Sequence, residues 1–128
     1  MDFSKKVNLK PIDSEKMKID VAPDTKDTYI VWLELDSYPD YTWIKIFNDK
    51  VGKEMNVFEA MIHGTSITMV TSSDGIVKKI DSMKKIIDYT NQQIEIYNKN
   101  VEVEHEENQR RKIKNEENIK KMREQMKQ

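Results

Sequence analysis

Alternating apolar and polar residues predict a strand near the start of the chain, and a longer apolar run predicts a second one. Residues 17–21 alternate apolar and charged side chains, which is the period of a strand with one buried face. Residues 28–35 form a nearly unbroken β-branched and aromatic run, typical of a strand that is buried on both faces. We therefore expect this second strand at the centre of a sheet, with Trp32 in the core.

A short stretch with clear start and stop signals predicts a helix between Pro39 and Gly52. Pro39 suits the first helical position because its missing N–H would have no partner there, and Asp40 places a negative charge at the positive end of the helix. Gly52 is expected to end the helix. Its apolar face, spaced every four residues, consists of Trp43, Phe47 and Val51.

The second half of the chain predicts a hairpin followed by one long helix. Residues 55–62 and 66–71 have the composition of strands, and His63-Gly64-Thr65 between them suits a turn. The helix is expected to begin near Gly75, with a cap from Ser72, Ser73 or Asp74. From there to residue 128 the chain contains no proline and no further glycine, which indicates a single helix.

This succession of elements, β-β-α-β-β-α, predicts an α+β protein. We expect an antiparallel or mixed sheet of about four strands, in a ferredoxin-like ordering, with both helices on one face. A six-residue strand is about 20 Å long, and about 13 helical residues span that length. Residues 76–90 are therefore expected to pack on the sheet, and the rest of the long helix to project beyond it. The predicted divisions are a polar N-terminal arm (1–16), an α+β domain (17–103) and a charged helical extension (104–128).

The long helix has two apolar lines on nearly opposite faces. The first is a heptad seam, as in a coiled coil, made of Ile76, Ile80, Met83, Ile87, Thr90, Ile94, Tyr97 and Val101. We expect its first half, through Ile87, to be the core face. The second line, at a spacing of seven, consists of Tyr89, Ile96 and Val103, about 150° around the helix. A helix with one solvated side needs no second line, so we predict that one face contacts a second chain, as in a homodimer, or the N-terminal arm. A frayed helix with tolerated surface residues is the alternative.

Residues 104–128 are strongly charged, and their apolar side chains are Ile113, Ile119, Met122 and Met126. Four pairs at i, i+4 have the acid first, the orientation that supports a helix in water: Glu106–Arg110, Glu107–Arg111, Glu116–Lys120 and Glu117–Lys121. The simplest interpretation is a solvated, partly frayed helix. The functional alternative is that Ile119, Met122 and Met126 dock into the groove of a partner protein.

The overall composition hides a difference in charge between the two halves of the chain. Charged residues make up 35% of it, the mean hydropathy is −0.82, and there is no cysteine. Residues 1–74 carry a net charge of −4 and residues 75–128 a net charge of +3. The missing cysteines exclude a disulfide scaffold and thiolate metal sites. We find no apolar run of membrane-spanning length and no secretory signal pattern, and therefore expect a cytoplasmic protein with no membrane partner.

The residues of common catalytic and cofactor sites are missing from this sequence. Its three glycines do not form a phosphate-binding loop, and His63 at the predicted turn has no evident partner for general base catalysis. Glu102 and His105 have the spacing of one half of a di-metal bundle site, but the other ligands are absent. We therefore predict no enzymatic activity, no catalytic residues, no metal and no cofactor.

Nucleic-acid binding is the alternative function. Tyr29, Trp32 and Phe58 invite comparison with sheets that stack RNA bases, and basic residues of the last helix could follow a phosphate backbone. The acidic sheet half would repel phosphate, so we expect nucleic acid to be an unlikely partner. The preferred hypothesis is a protein that works by protein–protein contact, self-associating or docking a partner through its long helix.

Overall fold

The computed structural model describes residues 2–23, 25–56 and 59–127, and contains four strands and two helices in those ranges. In chain order they are β1 (Ile19–Val21), β2 (Tyr29–Glu34), α1 (Tyr41–Glu54), β3 (Ala60–His63), β4 (Ser66–Thr71) and α2 (Ile76–Met126). The order of elements along the chain is the predicted one, and the α+β class is confirmed. Residues 57 and 58 of the predicted third strand lie outside the described residues.

All strand pairs in the sheet are antiparallel, and the strands lie in the order β1-β2-β4-β3. Because β2 and β3 both run opposite to β4, they are parallel to each other, and α1 connects them with β4 in between. β1 and β2 form a hairpin closed by a hydrogen bond from the Ala22 N–H to the Thr28 carbonyl (3.0 Å). The predicted ferredoxin-like ordering is not confirmed: within the described residues β1 takes one edge of the sheet beside β2, and β3 takes the other edge beside β4.

Glycine makes the tight turn between β3 and β4. His63 pairs with Ser66, so Gly64 and Thr65 are the two central turn residues. Gly64 has a φ of 60°, the positive value that a type II′ hairpin turn requires at its first central position. The turn that the sequence predicted at residues 63–65 is confirmed, and it sets the register of the hairpin.

One face of the sheet forms the core. Along β2, Val31 and Leu33 are buried, and their cross-strand partners Met69 and Ile67 on β4 are buried with them. Trp32 lies between them and therefore points to the opposite face, where it is half-buried. The prediction that Trp32 belongs to the core is wrong. Both faces of this strand are apolar, so its sequence alone does not indicate which face meets the helices.

Helix α1 starts at Tyr41, two residues later than the predicted start at Pro39, and it also ends later than expected. Asp40 is the N-cap, and its carboxylate accepts a hydrogen bond from the Trp43 N–H (2.9 Å). The predicted apolar face, Trp43, Phe47 and Val51, is buried in the core. Gly52 does not end the helix, which continues to Glu54, where Lys50 and Glu54 form an ion pair one turn apart. The prediction of a stop at Gly52 is therefore wrong.

Asp40 also joins the N-terminal segment to α1. The Ser4 hydroxyl (2.8 Å) and the Lys5 N–H (3.2 Å) donate to its carboxylate. Partial burial would raise the pKa of Asp40, but the hydrogen bonds from Trp43, Ser4, Lys5 and Thr42 outweigh it. They hold the pKa of this carboxyl below its ordinary value of 3.8.

Replacing Asp40 with alanine should therefore lower the free energy of unfolding at neutral pH by about 1 kcal/mol, a typical loss for a cap residue. Because the folded-state pKa is lowered, the charged carboxylate's contribution is present above pH 3.8 and disappears as the pH falls through the folded value. Urea unfolding of wild type and Asp40→Ala at pH 7 and pH 3 checks this. Asp40→Asn, which retains a hydrogen-bond acceptor, is the control with the smaller loss. If the free energies of unfolding of wild type and Asp40→Ala differ as much at pH 3 as at pH 7, a role for the charge of Asp40 would be contradicted.

The N-terminal segment is part of the core, although its polar composition predicts an arm. Val7 is fully buried, and residues 8–10 run antiparallel to the chain that follows β2. In this pairing the Lys10 N–H donates to the Glu34 carbonyl, and the Asp36 N–H to the Asn8 carbonyl, both at 2.9 Å. The side chain of Asn91 on α2 also hydrogen-bonds both the N–H and the carbonyl of Val7. This segment is thereby fixed between the end of β2 and helix α2.

Helix α2 extends through both of the compact units that make up the chain. The first unit is Ser4–Glu95, and the second contains the helix from Ile96 onward with the residues that precede Ser4. All buried residues of α2 lie in the first unit: Met83, Ile86, Ile87, Thr90, Asn91 and Ile94. The length of a strand predicted that burial would end at residue 90. Burial in fact continues for one more helical turn, to Ile94. No helix in the described residues is both long and apolar enough to cross a membrane.

Candidate interaction surface

Two of the nine predicted interaction residues belong to the first unit, and their side chains already pack against other residues of that unit. Ile94 is fully buried in the core, so it is not accessible to a partner. Tyr89 is half-buried, and the Lys50 ammonium lies 4.4 Å from the centre of its ring, a cation–π contact. Lys50 also hydrogen-bonds Glu54, which raises the pKa of the lysine and lowers that of the glutamate. The surface around Tyr89 is therefore a closed polar cluster and not an open apolar line.

Two more of the predicted residues lie at the start of the second unit, and one of them, Tyr97, contacts its N-terminal residues. The Tyr97 hydroxyl donates a hydrogen bond to the Asp2 carbonyl at 3.1 Å. Tyr97 and Val101 are half-buried, and both lie on the face of α2 that continues the buried line of the first unit. At Tyr97 the N-terminal residues of this unit therefore cover part of this face.

The other five predicted residues are exposed, and a sixth exposed apolar residue joins them. Ile96 and Val103 are each 52% exposed, and every residue from Glu102 to Lys127 is exposed. The remaining exposed apolar side chains of α2 in this unit are Ile113, Ile119, Met122 and Met126. At about 100° per residue, Ile96, Val103 and Ile113 share one side of the helix. The same geometry places Ile119, Met122 and Met126 on the opposite side.

Ile113 is the residue that the sequence-based selection of site residues missed. It lies ten positions after Val103, which is not a multiple of seven, so a search at a spacing of seven passes over it. Steps of three and four connect the two residues through Glu106 and Arg110, and all four positions fall on one face. The alternating spacing is the signal that finds Ile113.

Charge is distributed in blocks along the exposed part of α2. Glu102, Glu104, Glu106 and Glu107 form an acidic block, and Arg110, Arg111, Lys112 and Lys114 form a basic one. The sequence predicted i, i+4 ion pairs here, but in the described part of the chain none of the four predicted pairs forms an ion pair. The ion pairs that do form lie in the first unit, for example Lys79 with Glu59 at 2.9 Å. Because these long side chains extend into solvent, their charges are available to a partner.

The aromatic platform of the nucleic-acid alternative is not assembled. Tyr29 pairs with Thr71 and shares the core side of the sheet, whereas Trp32 pairs with Thr68 on the other side. The ammonium of Lys18 covers the Trp32 ring at 4.5 Å. Phe58, the third predicted member, lies outside the described residues. Tyr29 and Trp32 therefore cannot stack successive bases on one surface.

The two histidines are both at exposed positions. His63 is exposed beside Trp32, with the ring centres 6.0 Å apart, and His105 is exposed in the charged part of α2. No group of three or more His, Asp or Glu side chains in the described ranges could hold a metal ion.

Comparisons with protein-family models, with curated proteins and with solved structures give no match for this chain. The exposed surface of α2 is therefore interpreted from its own residues.

Proposed function

We propose that this protein works by protein–protein contact, as a homodimer formed through the part of helix α2 that follows Glu95, and that it is not an enzyme. The observation that carries the proposal is the exposed apolar line of Ile96, Val103 and Ile113 on a helix segment that has no core of its own. Exposed apolar side chains that share one helix face are typical of contact surfaces. A second copy of the chain presents the same apolar line, so any solution of the protein already contains a matching partner.

The length of the exposed segment supports a helical partner. Residues 96–126 form about 46 Å of helix at 1.5 Å per residue. Most helical stability in proteins comes from packing an apolar face, and residues 96–126 contribute no buried residue to α2. Pairing two such helices supplies that packing for both copies at once.

Light scattering tests the homodimer directly. At about 100 μM, a concentration high enough to populate weak dimers, the 15.2 kDa chain should scatter with about twice its own mass. Replacing both Ile96 and Val103 with lysine should give a monomer, because each dimer would then contain four desolvated ammonium groups along the contact. The far-UV circular dichroism of this variant should stay that of the wild type, since both positions are half exposed.

Val77→Lys is the matched control for this experiment. Val77 lies on the same helix and is 71% exposed, but it belongs to the first unit. This variant should remain dimeric. A strict monomer for the wild type at 100 μM would refute the proposal, and unfolding of the Ile96→Lys, Val103→Lys double variant would assign these residues to a core.

Nucleic-acid binding is the second candidate, and the observation that favours it is the exposed basic block of Arg110, Arg111, Lys112 and Lys114. The adjacent acidic block opposes it, because like charge repels phosphate. Retention on a single-stranded oligonucleotide column at low salt, falling steeply as salt rises, would support this function. No retention at low salt would eliminate it.

A further inference from the structure

Charges in the exposed part of α2 are inverted about Asn108 at four distances from it. At two, four, six and nine positions, the residue before Asn108 and the residue after it carry opposite charges, whereas Glu107, Arg111 and Glu116 have no oppositely charged counterpart. The pairs related in this way are Glu106 and Arg110, Glu104 and Lys112, Glu102 and Lys114, and Lys99 and Glu117. At the fifth position on either side are the apolar residues Val103 and Ile113.

Six of these residues form one stripe along the helix. We call it the outer seam, and it consists of Lys99, Val103, Glu106, Arg110, Ile113 and Glu117. The steps between them alternate four and three, which is the spacing of positions that face a partner in a coiled coil. All six are exposed, and none of them forms an ion pair in the part of the chain that the structure describes.

Two copies of the outer seam fit each other in only one orientation. In a parallel pair in register, each residue faces its own copy, so that Glu106 meets Glu106 and Arg110 meets Arg110. In an antiparallel pair centred on Asn108, Glu106 of one copy faces Arg110 of the other, and Lys99 faces Glu117. Val103 then packs against Ile113, and each of these contacts occurs twice because the pair has two-fold symmetry.

We infer that the homodimer is an antiparallel pair of α2 helices in which the outer seams of two copies meet, with Asn108 at the level of the two-fold axis. This inference rests on the proposed self-association and adds the orientation and the register. The contact from Lys99 to Glu117 covers about 27 Å of helix, and Ile96, three positions before Lys99, extends the same stripe at its end. Four of the six residues in the outer seam are charged, so the dimer is a moderate, salt-sensitive one that dissociates as ionic strength rises.

Disulfide cross-linking measures the orientation, because the chain has no cysteine of its own. Val103→Cys and Ile113→Cys proteins, one of them carrying a tag that changes its mass, are mixed and oxidised. The antiparallel pair predicts a disulfide between the two different variants. Val103→Cys alone should not cross-link, since the two copies of residue 103 are then about 15 Å apart along the axis, beyond the reach of a disulfide. Asn108→Cys, on the opposite face of the helix, is the control that should not cross-link.

The outcomes separate the orientation from the self-association. Efficient cross-linking of each variant with itself, and not with the other, would overturn the antiparallel arrangement while leaving a dimer. A monomer by light scattering with no cross-link in any mixture would overturn both. Because both cysteines replace exposed side chains, folding of the variants is not at risk.

Charge reversal tests the pairing of Glu106 with Arg110. Glu106→Arg alone should raise the dissociation constant of the dimer at low salt by about tenfold. It places two arginines opposite each other at each of two symmetric positions. Adding Arg110→Glu to the same chain should restore it, because the reversed charges complement each other again. Glu104→Arg, the same change of charge away from the outer seam, is the matched control. Failure of the second substitution to restore the dimer would refute the assigned register.

Discussion

Replacing Asn91 with alanine is expected to lower the free energy of unfolding by about 3–5 kcal/mol, a large effect for a polar side chain. Asn91 is 7% exposed, and its amide makes four hydrogen bonds. Its oxygen accepts from the Val7 N–H (3.0 Å) and the Trp43 indole N–H (2.8 Å). Its nitrogen donates to the Val7 carbonyl (2.8 Å) and to the Asn8 side-chain oxygen (3.0 Å).

The loss comes from the groups that alanine would leave without partners. Val7 and Trp43 are fully buried, so three of their polar groups would lose a hydrogen bond where solvent cannot replace it. Each buried unsatisfied group costs about 1–3 kcal/mol. Urea unfolding followed by circular dichroism measures the change. A Trp43→Phe variant should lose less free energy of unfolding, because the side-chain oxygen of Asn91 then loses one hydrogen bond and keeps the one from the Val7 N–H. The Asn91→Ala, Trp43→Phe double variant should lose less than the two single losses added together. A loss below about 1 kcal/mol for Asn91→Ala would show that the network is not a major source of stability.

The second large effect distinguishes two isoleucines that are two residues apart on the same helix. Ile94→Ala is expected to lower the free energy of unfolding by about 2–5 kcal/mol, because it creates a cavity in a closely packed core. Ile96→Ala should change it by less than about 0.5 kcal/mol, because this side chain is half exposed and belongs to the second unit. Both variants lose the same atoms, so each is the matched control of the other.

The measurement is urea unfolding at a protein concentration of a few micromolar, where dimer formation contributes little to the apparent stability. Ile96→Ala should show its effect only in light scattering at high concentration, as weaker association. Equal losses of stability for the two variants would contradict the assignment of Ile96 to a surface and would place it in the core.

The elements of this fold could be predicted from the sequence because their signals are local. The alternation over residues 17–21, the helix start signal at residues 39–40, the glycine turn at Gly64 and the stretch without helix breakers after Gly75 each act on the backbone around them. The boundaries were less accurate, as Gly52 shows. An exposed glycine weakens a helix by about 1 kcal/mol, and packing of the neighbouring Val51 in the core is enough to offset that.

The interaction surface could be predicted only in part, for a related reason. A helical periodicity shows which side chains share a face, but it does not show which face is covered. Ile94 and Ile96 both fit an apolar line, and only the position of the core separates them. Tyr89 fits such a line as well, yet Lys50 from α1 covers its ring. Both outcomes depend on residues that are distant in sequence.

By itself the sequence determined the succession of strands and helices, the apolar face of α1 and the inverted charge pattern about Asn108. These properties follow from side-chain period and backbone preference within a few residues. The tertiary structure decided the strand order β1-β2-β4-β3, the choice of Val31 and Leu33 over Trp32 for the core, and the burial of Val7 against Asn91. Segments that are distant in sequence can pack in many ways that satisfy the same local patterns, and the arrangement adopted is the one that fills the core while pairing its buried polar groups.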